Sequence, residues 1–126
     1  MALAPLAAWL LEGYNEGAVG GKTMTGHGIP RQEFLVSIVN NLPADTPPDV
    51  RDSLITSEAE RARSLADDGV ILRLWRIPGR RQNVGLWSAA NADELHNAIA
   101  SLPMYPFLDV TVTPLAAHPS DPNHLQ

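Results

Sequence analysis

The chain has 126 residues, 44% of them hydrophobic and 18% charged, which is the composition of one soluble globular domain. Its net charge of −5 argues against a general nucleic-acid binder, whose phosphate contacts need a basic face. The absence of cysteine excludes disulfides, thiolate nucleophiles and cysteine-based metal sites. No run approaches the roughly 18–20 apolar residues that span a membrane, so no membrane role is expected. The opening MALAPLAAWLLEGYNEG lacks the basic start of a secretory signal, and the expected location is the cytoplasm.

Residues 1–32 differ from the remainder. Leu6, Trp9 and Leu10 have helical spacing, and residues 13–28 are rich in glycine and poor in apolar side chains. They read as an N-terminal extension or linker, partly disordered, with Met24 as a second possible start. The regular pattern begins at residue 33 and runs to 122, with 123–126 as a tail.

In that domain, residues 33–40 (EFLVSIVN) read as a strand rich in β-formers. Three prolines make 41–48 a loop, and 49–68 read as a helix ended by Gly69. Residues 70–77 (VILRLWRI) are a second strand, closed by the turn signal Pro78-Gly79, and 82–88 (QNVGLWS) are a third, antiparallel to it. Asn91 is a good N-cap, with Glu94 three residues later. Leu95, Ala98, Ile99 and Leu102 then form a helical stripe that ends at Pro103. Residues 107–114 (FLDVTVTP) alternate as a fourth strand, with Leu108, Val110 and Val112 on one side, and the tail from Ala116 is loop.

The order is β-α-β-β-α-β, the split βαβ arrangement of the α+β ferredoxin-like class. Right-handed crossovers place both helices on one face of a four-stranded antiparallel sheet. The first strand carries Phe34, Val36 and Ile38 on one side and Leu35 and Val39 on the other. A second apolar face implies that the bare side of the sheet is covered by another subunit.

One acidic residue breaks the pattern. At 100° per residue, Glu58 falls in the stripe of the first helix with Leu54, Ala62 and Leu65, Val50 lying at its edge. Asp52, Glu60 and Asp67 fall on the opposite side. A carboxylate aimed at a core or cleft loses hydration, and its pKa rises toward the value that a proton-shuttling base requires. The competing reading is a Glu58–Arg61 pair closed on itself at the edge of the helix.

Arg73, Arg76, Arg80 and Arg81 concentrate positive charge within nine residues of an acidic chain. They read either as receptors for a substrate carboxylate or as a solvated hairpin edge. Asn83 is a candidate donor to a ligand carbonyl or a polar residue of the turn. Trp75 and Trp87 read as sheet or interface packing, with pocket wall as the alternative. His118 is a loop histidine, exposed or reaching a neighbouring subunit's pocket. His27, His96, His118 and His124 lack metal-ligand spacing, so no metal site is expected.

The stretch SEAERARSLADDGVILRLWRIPGRRQNVGLW, followed by ADELHNAIASLPMYPFLDVTVTPLAAHPSDP, resembles the muconolactone Δ-isomerases, a family that includes the related chloromuconolactone dehalogenases. The elements LWRI-x-G, DELH, SLP-x-x-P and VTPL-x-x-HPS stand in order at matching spacings, and NLPADTPPDV resembles the family's first loop. The resemblance covers about residues 33–122 and implies a ferredoxin-like fold, cofactor-free chemistry and a ring-like homo-oligomer, a decamer in the family. It also implies a role in the β-ketoadipate branch of aromatic catabolism, moving a proton within an unsaturated lactone that bears a carboxylate arm. Dehalogenating elimination from a halogenated lactone, or a non-catalytic binding or assembly module, are the alternatives.

On this resemblance Glu58 matches the family's acidic helix residue, the general acid/base. Trp75, Arg76 and Gly79 match its LWR-x-x-G run, Asn83 an asparagine after that turn, and His118 the histidine of the terminal HPS. Ala59 stands where a lysine is usual, Arg73 where a histidine is, Arg81 where a tyrosine is, and Leu35 where a polar residue is. Arg73, Trp75, Arg81, Asn83 and His118 are the expected substrate-binding set, with Arg73 and Arg81 the favoured pair for a carboxylate.

Overall fold

The computed structural model describes residues 31–125. The expected features of residues 1–30, including the spacing of Leu6, Trp9 and Leu10, lie outside them. Strand β1 (Gln32–Asn40) leads into helix α1 (Pro48–Asp67), the hairpin strands β2 (Ile71–Arg76) and β3 (Gln82–Ala89), helix α2 (Ala92–Ala100) and strand β4 (Leu108–Leu115). The sheet order is β2-β3-β1-β4, and every pairing is antiparallel. This is the ferredoxin-like α+β fold that the sequence pattern anticipates.

Local chemistry sets the element ends. Pro48 occupies the first turn of α1, where its missing N–H costs nothing. At the other end the Gly69 N–H donates to the Ala66 carbonyl at 3.0 Å and the Val70 N–H to that of Leu65 at 2.8 Å. This double closure needs a left-handed residue, and Gly69 supplies it with φ +80°. Asn91 accepts from the Glu94 N–H at 2.8 Å. The Glu94 carboxylate reaches back one residue further than a capping box requires, accepting from the Ala90 N–H at 3.0 Å. In the β2–β3 turn, Gly79 has φ +78° and the Arg80 N–H donates to the Ile77 carbonyl at 3.3 Å, as a type II turn requires.

Residues opposite one another in antiparallel strands point to the same side, so the register sorts the two faces. Phe34 faces Trp87, Val36 faces Gly85 and Ile38 faces Asn83. With Ala62 and Leu65 of α1 and Leu95 and Ile99 of α2, Phe34, Val36, Ile38 and Trp87 form one buried core. The other face carries Leu35, Ser37 and Val39 opposite Leu86, Val84 and Gln82. No helix covers it among the described residues, and Leu35 remains 37% exposed. On β4, Val110 packs against the core, whereas Val112, on the same side, is 39% exposed. The tail closes in a short 3-10 turn, Pro122–Leu125, where the sequence reads as loop.

Strand β2 contains the one irregularity of the sheet. Ile71 is opposite Trp87, yet Arg73 is opposite Leu86, so Leu72 is an extra residue in the ladder. Ile71 is buried against the helices. Strict alternation from Ile71 would put Arg73 and Trp75 on that same side. The bulge inverts the phase, and both turn to the open face opposite Leu86 and Val84.

Candidate active site

Glu58 lies in the middle of α1, partly buried, on the stripe that also buries Ala62 and Leu65. Its Oε1 accepts the Met104 backbone N–H at 2.9 Å. Arg61 does not pair with it: the guanidinium donates to Ser101 Oγ at 2.8 Å and to Ser64 Oγ at 3.2 Å. Burial pushes the Glu58 carboxyl above its ordinary value, and the Met104 N–H, which favours the ionised form, offsets only part of that rise. Asp52, Glu60 and Asp67 of the same helix are exposed. The carboxylate is thus desolvated and held by one fixed donor.

The donor is itself anchored. Met104 is buried after α2, and its Sδ accepts from Asn40 Nδ2 at 3.3 Å. The Asn40 Oδ1 accepts the Leu42 N–H at 2.9 Å, and the Asn40 N–H donates to the Arg81 carbonyl at 2.9 Å. Arg81 Nη2 donates to the Leu42 carbonyl at 3.3 Å. The end of β1, the start of β3, the loop after α2 and the middle of α1 therefore meet at one end of the helix-covered layer. Glu58 and Arg81 belong to this group. Asn83 follows two residues after Arg81, opposite Ile38 on the covered side, and its Oδ1 is buried with no hydrogen-bond partner among the described residues.

The remaining expected site residues are placed elsewhere within the chain. Arg73 and Trp75 lie on the open face, where the guanidinium carbon stands 4.6 Å from the centroid of the indole ring. Trp75 is 41% exposed. His118 follows β4 beyond Leu115, which pairs with Glu33 near the end of β1 opposite Asn40. It is exposed, and its Nδ1 accepts the Ser120 N–H at 2.9 Å. A single copy thus links Glu58 to Arg81 through Met104 and Asn40 and places Asn83 on the covered side two residues further along β3, while Arg73 and Trp75 lie on the open face and His118 beyond the far end of β4. Asn40 and the Met104 amide escape sequence reading because a main-chain donor has no side-chain signature; the only signal is that SLP-x-x-P interrupts the helix pattern there. Among the described residues no cluster of three or more His, Cys, Asp or Glu is arranged to hold a metal ion, and no helix is long and apolar enough to cross a membrane.

The chain is a small ferredoxin-like α+β domain with a desolvated carboxylate on its first helix. The family model of muconolactone delta-isomerase matches residues 32–121, and the chain belongs to that family. It is 35% identical to the muconolactone Delta-isomerase of Rhodococcus opacus over 88 residues, covering 70% of this chain and 95% of that protein. It is 36% identical to that of Cupriavidus pinatubonensis over 87 residues, covering 69% and 95%. A crystal structure of muconolactone isomerase superposes with a TM-score of 0.68 at 32% identity, covering 71% of this chain and 94% of the other. The family assigns the chain an enzymatic, isomerase role.

Proposed function

We propose that this enzyme shifts a proton and a double bond within a muconolactone-like unsaturated lactone, without a cofactor, as a step of aromatic catabolism, and that Glu58 is the general acid/base. The carboxylate removes a proton from the ring carbon γ to the lactone carbonyl, leaving a dienolate whose charge spreads onto the carbonyl oxygen. The same carboxyl returns that proton to another carbon of the conjugated system, so no group is gained or lost. A carboxyl with a raised pKa is suited to both transfers, because the proton is neither held too tightly nor lost to solvent. Donors beside it stabilise the charge that develops in between. Arg81, at the rim, is the receptor for the substrate's free carboxylate, and Asn83 contacts the ring oxygens.

Arg73, Trp75 and His118 enter this reading through a neighbouring copy. The open sheet face, with half-exposed Leu35 and Trp75, is the natural seat for a second subunit in a homo-oligomer of the family's decameric kind. The observation that carries the proposal is the desolvation of Glu58 against the Met104 amide. Replacing Glu58 by Gln, which still accepts that N–H, is expected to preserve the fold and lower turnover of muconolactone by about 10²-fold or more, followed by ultraviolet absorbance. Unchanged turnover refutes the assignment. Chloride release from a chlorinated muconolactone without isomerisation of the parent compound reassigns the enzyme to elimination chemistry with the same base.

A further inference from the structure

Two polar atoms in the core have no partner among the described residues: Asn83 Oδ1 and Trp87 Nε1. Trp87 is 1% exposed, so its N–H is a full donor withheld from water. A buried donor without an acceptor costs about 1–3 kcal/mol, and native interiors rarely keep one without a use. Two such atoms on one strand are more informative than either alone. Asn83 and Trp87 are four residues apart on β3, and the register against Ile38 and Phe34 turns both to the helix-covered side. Between them on that side is Gly85.

Gly85 explains how the indole is aimed. A Cβ at this position would stand 2.8 Å from Trp87 Nε1, 2.8 Å from Leu74 Cδ1 and 3.1 Å from the Arg73 carbonyl. The space that a side chain would take is filled by the nitrogen edge of the indole. The ring therefore leans back along β3 over Gly85, on the side of the strand where Asn83 lies. Asn83 itself is only partly buried, so its amide spans from the interior to the accessible edge of the layer. That edge is the one bounded by Arg81 and Asn40, whose side chain ties to Met104 and so to Glu58.

We infer that the Trp87 indole N–H is a ligand-binding donor of the Glu58 site, acting with the Asn83 amide on one oxygen of the bound lactone. The inference rests on the isomerase reading above and extends it to the oxyanion side of the reaction. Rotation of the Asn83 amide about its terminal torsion, a soft two-fold motion, turns Nδ2 inward and puts a second donor on the same face of β3. Preorganised donors of this kind act most strongly where water is excluded, and the 1% exposure of Trp87 meets that condition. Packing alone asks only for an aromatic ring at this position; the glycine that admits its nitrogen edge and the unpartnered Asn83 Oδ1 further along the same face are what packing does not require.

The test separates this role from both packing and base catalysis. In Glu58→Gln protein, muconolactone binds without turning over, and the indole N–H resonances are followed by ¹H–¹⁵N correlation as the lactone is added. Trp9→Phe and Trp75→Phe variants assign the Trp87 signal by elimination. That signal is expected to move downfield as the lactone saturates the site. A lactone that binds by calorimetry and leaves the Trp87 signal unmoved overturns the proposal, as does a lactone that does not bind. In otherwise unaltered enzyme, Trp87→Phe keeps the ring and removes the N–H; kcat is expected to fall by about 10²-fold with KM changed far less. A folded Trp87→Phe enzyme with native kcat also overturns it. Full activity in Glu58→Gln sinks the base assignment instead, and the wild-type indole titration then still decides the role of Trp87.

Discussion

The two faces of the sheet are built from similar residues and have opposite fates. The covered face holds Phe34, Val36, Ile38 and Trp87, each exposed by 5% or less. The open face holds Leu35, Val84, Leu86 and Trp75, with Arg73 laid over the Trp75 ring and Gln82 Nε2 donating to Ser37 Oγ at 3.0 Å. Polar groups on the open side stack on a ring or bond to one another. On the covered side they are desolvated, and there a carboxyl is pushed above its usual value and two polar atoms lack partners among the described residues. Titration here follows burial more than residue type: four arginines crowd the hairpin sequence, yet the group whose pKa is shifted is a single glutamate on the inner side of α1.

That contrast is open to direct attack. The largest expected effect is on packing. Phe34→Ala, on the covered side of β1, should cost about 3–5 kcal/mol in urea unfolding. A small loss there would mean that the helices do not seal this face. Next in size is Gly85→Ala, whose new methyl meets the Trp87 and Leu74 side chains and the Arg73 carbonyl. It should destabilise by about 1–3 kcal/mol, because the backbone carbonyl cannot move aside. Wild-type stability would show that the indole edge has room to retreat.

The pH dependence is a finer probe of the same face. Glu58 has a folded-state pKa above its unfolded one. Below the ordinary glutamate range the group is protonated in both states and burial carries no ionic cost. As pH rises through the folded pKa, the native protein has to ionise a desolvated carboxyl, and stability declines. Glu58→Gln removes that decline, so the variant should gain on wild type as pH increases, read as diverging unfolding midpoints across a pH series. Parallel midpoints would place the carboxylate in water. The smallest effect belongs to the open face: Leu35→Ala should change the stability of the isolated chain by about 0.5 kcal/mol or less. A loss comparable to that of Phe34→Ala would show that this face is also sealed, as it would be in a tight assembly.

Much of this architecture is legible in the sequence because it depends on short-range rules. The Asn91–Glu94 spacing marks the start of α2, Pro48 and Gly69 bracket α1, and alternation along 33–40 separates Phe34, Val36 and Ile38 from Leu35 and Val39. Glu58 is recognisable for the same reason, since a carboxylate in an apolar helical stripe is a local contradiction. The structure removed its competing reading by turning Arg61 to Ser101 and Ser64.

The sequence by itself determined the order of elements, the family, and the one carboxylate that departs from its helix pattern, because periodicity and capping act within a few residues. Tertiary structure alone decided which side of the sheet each candidate occupies. The extra residue Leu72 shifts β2 by one position and carries Arg73 and Trp75 away from Glu58, and nothing in the run VILRLWRI announces it. The Met104 amide, the Asn40 anchor and the unpartnered Trp87 N–H belong to the same category. They join residues of distant segments, and burial and hydrogen bonding between such segments exist only after the chain has closed on itself.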